Sequence, residues 1–287
     1  MPQVDYVPAA SVEEATKALK AAGPRARILA GGTDLLVQMR SGRVRPAVIV
    51  DVKGVPGAVG IRREADGGFV IGAATCGAEI GEDARLERAW PGVVEAACLI
   101  GSTQIQGRAS LAGNLCNASP AADSVPALVA ARAIAVIAGP NGRREAAVET
   151  IPTGPGTTSL AAGEFVLEIR LPPRPARAAD AYLRSIPRTE MDIAVVGAGV
   201  NLTLDPRGRV AEARVALGAV APTVVVLEDP GLVGSELDEA ALERIDAAAR
   251  AACAPISDKR GTIEYRTKIA GVLARRAARI AYDRARG

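Results

Sequence analysis

Histidine is absent from the 287 residues. With it go the Ser-His-Asp and Cys-His nucleophilic arrangements, His-ligated zinc or haem, and any imidazole proton shuttle. Only seven side chains are aromatic (Tyr6, Phe69, Trp90, Phe165, Tyr182, Tyr265 and Tyr282), too few for a surface that stacks on single-stranded nucleic acid. The cysteines, Cys76, Cys98, Cys116 and Cys253, stand 22, 18 and 137 positions apart, so no CxxC-type spacing exists to hold zinc or an iron–sulfur cluster. Nor is charge of one sign in excess. The 35 Lys and Arg against 32 Asp and Glu leave +3, spread along the chain, which argues against nucleic acid. The best apolar run, Ala127 to Ala138, is short and carries Arg132. The opening Met-Pro-Gln-Val-Asp has neither a basic nor an apolar segment, so a soluble, cytoplasmic chain is expected.

What remains is an ordinary globular composition, 49% apolar and 23% charged, in a chain longer than one hydrophobic core usually supports. Ser11 to Glu14 has the form of a capping box, opening a helix that runs to Gly23 as a left-handed stop. A short strand at Arg27 to Ala30 empties into Gly31, Gly32, Thr33 and Asp34 before a helix at Leu35 to Arg40, and Ala47 to Val52 reads as a second buried strand in a parallel βαβ-like unit. An antiparallel unit follows: a hairpin turning at Asp66 to Gly68, helix patterns over Glu79 to Arg88 and Pro91 to Ile100, a second hairpin after Ala133, and an alternating strand at Glu164 to Leu171. Pro172 to Pro175 reads as a linker. Four strand candidates between Ala179 and Leu227 and two amphipathic helices, Leu237 to Ala252 and Thr262 to Ala285, complete the chain. The expected units are residues 1–57, 58–175 and 178–287.

Two segments carry candidate chemistry. Strand, Gly31-Gly32-Thr33-Asp34, helix suits an anion such as a pyrophosphate, because paired glycines let consecutive amides turn inward at a helix N-terminus; the same glycines also serve a plain turn. Gly101 to Ser124 has neither helical nor strand period and is rich in small residues, hydroxyls and amides, which fits close approach to a bulky polar ligand. A helix start capped by Ser119, with Pro120 next, explains Ser119 to Ala131 equally well but not Ser102 to Asn117.

These segments, in this order, resemble the FAD-binding medium subunit of the molybdenum hydroxylases, the xanthine dehydrogenase and carbon monoxide dehydrogenase family. Ile28 to Leu35 (ILAGGTDL) is similar to its first flavin motif, and Gln104 to Asn114 through Asn117 to Asp123 to its second, Q-x-x-N-x-x-T-I-G-G-N with a following S-P-x-x-D. Ile71 to Thr75 resembles the short motif between them, and Tyr182 to Ala194 the F-x-K-x-x-x-R-x-x-x-D-x-A opening of the C-terminal domain. Departures are Gly107 for Asn, Ala109 and Ala112 for Gly, Ser110 for Thr and Arg184 for Lys.

The resemblance implies an α+β fold: a two-part FAD-binding domain of the vanillyl-alcohol-oxidase/PCMH type, then a C-terminal α+β domain with a small antiparallel sheet and helices. It implies that Leu29, Ala30, Gly31, Gly32, Thr33, Asp34 and Leu35 wrap the pyrophosphate of a non-covalent FAD, that Thr75, Ser110, Gly113 and Asn114 contact the cofactor, and that Asp123 accepts from one of its hydroxyls with Leu167 and Arg184 nearby. The implied role is electron transfer, without catalytic residues of its own, in a complex whose iron–sulfur small subunit carries [2Fe-2S] clusters and whose large subunit carries molybdopterin, a dimer of heterotrimers. Composition agrees, since a chain without His or cluster-forming cysteines needs a cofactor for its chemistry. The alternatives are an autonomous flavin reductase of the same superfamily and a scaffolding subunit without flavin.

Overall fold

A computed structural model describes residues 4–287. The N-terminal unit runs β1 (Asp5–Pro8), α1 (Val12–Ala22), β2 (Ala26–Leu29), α2 (Thr33–Arg40) and β3 (Val48–Asp51), and its sheet, ordered β1-β3-β2, is wholly parallel. β1 carries little sequence signal, because only Val7 of its four residues is half-buried and the others are exposed. Ser11 caps α1 by accepting from the Glu14 amide at 3.1 Å, and the Glu14 carboxylate takes the Ala10 amide at 2.8 Å. Gly23 ends α1 at φ +55°, ψ −133°, outside the left-handed helical well that the sequence suggested.

The middle unit runs β4 (Ile61–Arg63), β5 (Phe69–Gly72), α3 (Gly77–Glu82), α4 (Ala84–Ala89), α5 (Pro91–Cys98), α6 (Thr103–Gln106), α7 (Leu111–Cys116), α8 (Ser124–Ala130), β6 (Ile134–Gly139), β7 (Gly142–Ala147), β8 (Pro152–Gly154), β9 (Thr157–Thr158) and β10 (Phe165–Leu171). Three expectations fail here. The helix expected over Glu79 to Arg88 breaks at Asp83, whose carboxylate accepts from the Arg85 and Leu86 amides and restarts the chain as α4. The stretch from Gly101 to Pro126 is not irregular but holds α6, α7 and the start of α8, and α8 begins at Ser124, so Ser119 caps no helix. β10 does not alternate: every residue but Arg170 is buried. It sits centrally in the sheet β4-β5-β10-β6-β7, with Phe165 and Leu167 packed into the N-terminal unit and Val166 and Ile169 into the middle core. A strand covered on both faces loses the period-two signal.

The C-terminal unit is an antiparallel sheet of β11 (Ala178–Ser185), β12 (Val196–Leu204), β13 (Val210–Gly218) and β14 (Val225–Glu228), followed by α9 (Glu239–Ala251) and α10 (Ile263–Arg286), which pack on it. Its other face meets the middle unit. A Cβ on Gly199 would lie 2.5 Å from the Pro126 carbonyl oxygen, so a bare backbone there lets α8 press onto β12. The expected linker is tied down: the Arg174 guanidinium stacks 3.6 Å from the Trp90 ring centroid and pairs with Asp180 at 2.6 Å, while Asp180 also takes the Val93 amide. Among the described residues no helix is long and apolar enough to cross a membrane.

Candidate functional site

A cavity of about 550 Å³ lies between the N-terminal and middle units, a size that suits an organic ligand. Its first wall is the turn from β2 into α2, Ala30 to Leu35 with Gln38; its second is Ala109 to Asn117 around α7; its third is the loop Leu160 to Glu164 ahead of β10. Pro24, Ala26 and Arg27 line it as well.

The two glycines of the first wall have different physical reasons. A Cβ on Gly31 would stand 1.9 Å from the Arg108 carbonyl oxygen, so the first wall reaches the second backbone to backbone. Gly32 takes φ +79°, ψ −1° as the residue that opens α2, a left-handed conformation that glycine adopts without steric cost. No side chain caps α2, and among the described residues the amides of Gly31, Thr33, Asp34 and Leu35 find no acceptor; the first helical bond is Leu36 to Gly32. Unpaired amides at a helix N-terminus facing a cavity form an anion site.

The second wall is held from three sides. The Gly77 amide donates to the Ala109 carbonyl at 2.8 Å, the Ser110 hydroxyl accepts from the Gly113 amide, and the Asn114 side-chain oxygen accepts from the Ser124 amide and hydroxyl at 3.2 and 2.7 Å. Gln38 on α2 donates across to the Asn117 side chain at 2.9 Å, the link between the walls that motif reading missed, because neither residue falls in the expected contact set. The loop from Leu160 to Glu164 was missed as well, and its sequence carries no signal beyond Gly163 at φ +85°. Burial raises the Asp34 carboxyl above its ordinary range and pushes the Cys116 thiol up to about 12.

Nine expected site residues line this cavity: Ala30, Gly31, Gly32, Thr33, Asp34, Leu35, Ser110, Gly113 and Asn114. Five lie outside its lining. Leu29 packs behind Gly32, Thr75 is fully buried with its hydroxyl bonded to both the amide and the carbonyl of Gly60, and Leu167 is sealed in the core between units. Asp123 is occupied by protein: it accepts from the Tyr182 hydroxyl at 3.0 Å and pairs with Arg184 at 2.7 Å. Burial raises the Asp123 carboxyl to about 6 against the pull of Arg184 and Tyr182. Of the departures, Ala109 and Ala112 are buried wall residues, and Gly107 has an ordinary right-handed conformation in which a Cβ would meet only the Gln104 carbonyl oxygen, at an ordinary 3.7 Å.

Residues 2–174 match the family described as the FAD binding domain in molybdopterin dehydrogenase, and residues 181–281 match the CO dehydrogenase flavoprotein C-terminal domain. The carbon monoxide dehydrogenase medium chain of Afipia carboxidovorans is 37% identical over 286 residues, covering 98% of each chain. A xanthine dehydrogenase FAD-binding subunit of Escherichia coli is 33% identical over 264 residues, 91% of this chain and 90% of that one. Among solved structures, reconstituted CO dehydrogenase from Oligotropha carboxidovorans superposes with a TM-score of 0.93 at 35% identity, over 98% of both chains. Quinoline 2-oxidoreductase from Pseudomonas putida 86 gives 0.89 at 28% identity, over 99% of this chain and 98% of that one.

Proposed function

Since this chain belongs to the family of FAD-binding medium subunits of the molybdenum hydroxylases, we propose that it relays electrons from [2Fe-2S] clusters in a small partner subunit, through FAD, to a terminal acceptor. In this reading a large partner subunit carrying molybdopterin oxidises the organic substrate, and the three chains assemble as a dimer of heterotrimers in the cytoplasm. Bound FAD supplies the redox chemistry; this chain supplies binding, orientation and electrostatics.

The observation that carries the proposal is the row of unpaired amides from Gly31 to Leu35 opposite a second wall of small polar residues. The amides hold the pyrophosphate. Asp34, a carboxylate without a hydrogen-bond partner among the described residues, accepts from cofactor hydroxyls, and Ser110, Gly113 and Asn114 shape the facing wall. Thr75, Leu167, Asp123 and Arg184 act behind the walls, holding them in place. The residual units 1–57, 58–175 and 178–287 are proposed as the folding domains, the cavity lying at the seam of the first two.

Co-expression with the small and large subunits tests the reading. The purified complex should contain this chain in equal number with its partners and one FAD per copy, seen in the visible spectrum and by mass after extraction. A chain that purifies colourless and takes up no added FAD, or that fails to join the other two, would overturn it.

A further inference from the structure

The geometry points to Lys53 as a positioning residue for the cofactor's pyrophosphate: it draws the Ala30 carbonyl outward and so turns the Gly31 amide into the cavity. This inference rests on the FAD reading above.

Lys53 follows β3 at the carboxyl edge of the parallel sheet. Its ammonium lies 2.7 Å from both oxygens of Asp51 and 3.3 Å from the Ala30 carbonyl oxygen. Asp51 anchors it in turn, because this buried carboxylate also accepts from the Lys53 amide at 3.0 Å and from the Tyr6 hydroxyl at 2.6 Å. Burial pushes the Asp51 carboxyl up, and the bonds from Lys53 and Tyr6 together hold it below its ordinary range, so the anchor stays charged at neutral pH. A lysine side chain that is otherwise free to move is thus fixed by a charged partner on a rigid strand.

Ala30 and Gly31 line the cavity, and Lys53 does not. The peptide joining Ala30 to Gly31 is trans, as no described peptide bond is cis, so the carbonyl of Ala30 and the amide of Gly31 point to opposite sides of it. With the carbonyl held on the Lys53 side, the Gly31 amide faces the cavity. It has no acceptor among the described residues and joins the equally unpaired amides of Thr33, Asp34 and Leu35. Lys53 therefore fixes the direction of the first donor in the row, and its positive charge stands behind that donor, where it favours an anion in front.

The test uses the full chain freed of flavin and titrated with FAD, ADP and riboflavin. ADP carries the pyrophosphate without the flavin ring, and riboflavin the ring without the pyrophosphate. Lys53→Met keeps the aliphatic stem and removes the donor. It should weaken FAD and ADP about tenfold while leaving riboflavin within about twofold, the loss expected for one charge-assisted hydrogen bond. Lys53→Arg should restore most of the affinity. Should Lys53→Met not fold, Lys53→Gln is judged by the same measurements. FAD and ADP affinities unchanged within about twofold would overturn the proposal, as would equal weakening of all three ligands, which marks general loosening. A wild-type chain that binds neither FAD nor ADP would overturn the FAD reading itself, an outcome told apart because no variant is needed to see it.

Discussion

Gly31→Ala should weaken FAD binding more than Gly32→Ala, although only Gly32 of the two has the backbone angle that alanine resists. At Gly31 the added methyl would sit 1.9 Å from the Arg108 carbonyl oxygen and 3.2 Å from the Ala109 Cα, so both contacts are with backbone. Ordinary carbon contacts begin near ~3.5 Å, so the two walls must separate by more than an ångström somewhere between them. At Gly32 the methyl would crowd the Leu29 Cδ1, at 2.7 Å, and touch the Leu36 side chain at an ordinary 3.7 Å, and a side-chain tip can turn away. That substitution costs about 1–2 kcal/mol for the left-handed backbone. Overpacking of a site that cannot yield costs roughly 1–3 kcal/mol or more, and here the strain falls on the two segments that must hold the ligand together. A factor of ten per ~1.4 kcal/mol makes the loss in FAD affinity about five- to a hundredfold for Gly31→Ala. Titrating apoprotein with FAD and following flavin fluorescence measures both variants, and the melting temperature of the apoprotein checks the fold. Equal FAD affinity in Gly31→Ala and wild type would refute the reasoning, because it would mean that contact between the walls does not define the cavity.

Acid precipitation should leave all flavin colour in the supernatant: Cys116 is the cysteine that lines the cavity, and a thiol pushed up to about 12 stays protonated and unreactive at neutral pH. A yellow pellet would contradict this. Asp123→Ala should destabilise the chain by about 3–5 kcal/mol in denaturant melts, since it leaves the buried Arg184 without its counter-charge, and Arg184→Met in the same chain should recover much of the loss. Additive losses in the double variant would show that the pair is not coupled. Burial raises Asp123 and Asp180 to about 6, above the ~3.9 of an unfolded aspartate, so the folded chain holds the extra protons between those values. Stability should then rise as pH falls from 7 through 6 toward 4, by at most ~1.4 kcal/mol per pH unit for each group. Asp180→Asn should flatten that rise, and a melting temperature that drops steadily from pH 7 to 5 in the unmodified chain would contradict the assignment.

Local chemistry was legible where one segment carries its own signal. The turn from β2 into α2 could be placed because its glycines separate an apolar run from a helical period, and both hairpins because Asp66 to Gly68 and Gly139 to Gly142 can scarcely do anything but turn. The rest was ambiguous within its own segment or depended on residues outside it. α7 is six residues long, too short to hold itself, and it is set by Ser110 capping its start and Ser124 beyond its end. Asp83 could as well lie inside a helix as end one. Asp123 and Arg184 were each placed near the cofactor, but nothing in the sequence says that two charges 61 positions apart meet each other. A sequence motif reports which residues gather around a site. It does not report whether a residue touches the ligand or holds one that does.

That distinction bears on the C-terminal unit, none of whose residues lines the cavity. One route for its influence runs through α8. The Asp123 carboxylate at the start of that helix is gripped by Tyr182 and Arg184 of β11, and Pro126 one turn on rests against Gly199 of β12. Between these two holds stands Ser124, whose amide and hydroxyl both bond the Asn114 side-chain oxygen. With that oxygen taken, the other end of the Asn114 amide is the one free to face the cavity it lines. The sheet of the last unit thus sets the direction of a donor in the second wall, as Lys53 does in the first. Both walls of the cavity are aimed from behind by charges that never enter it.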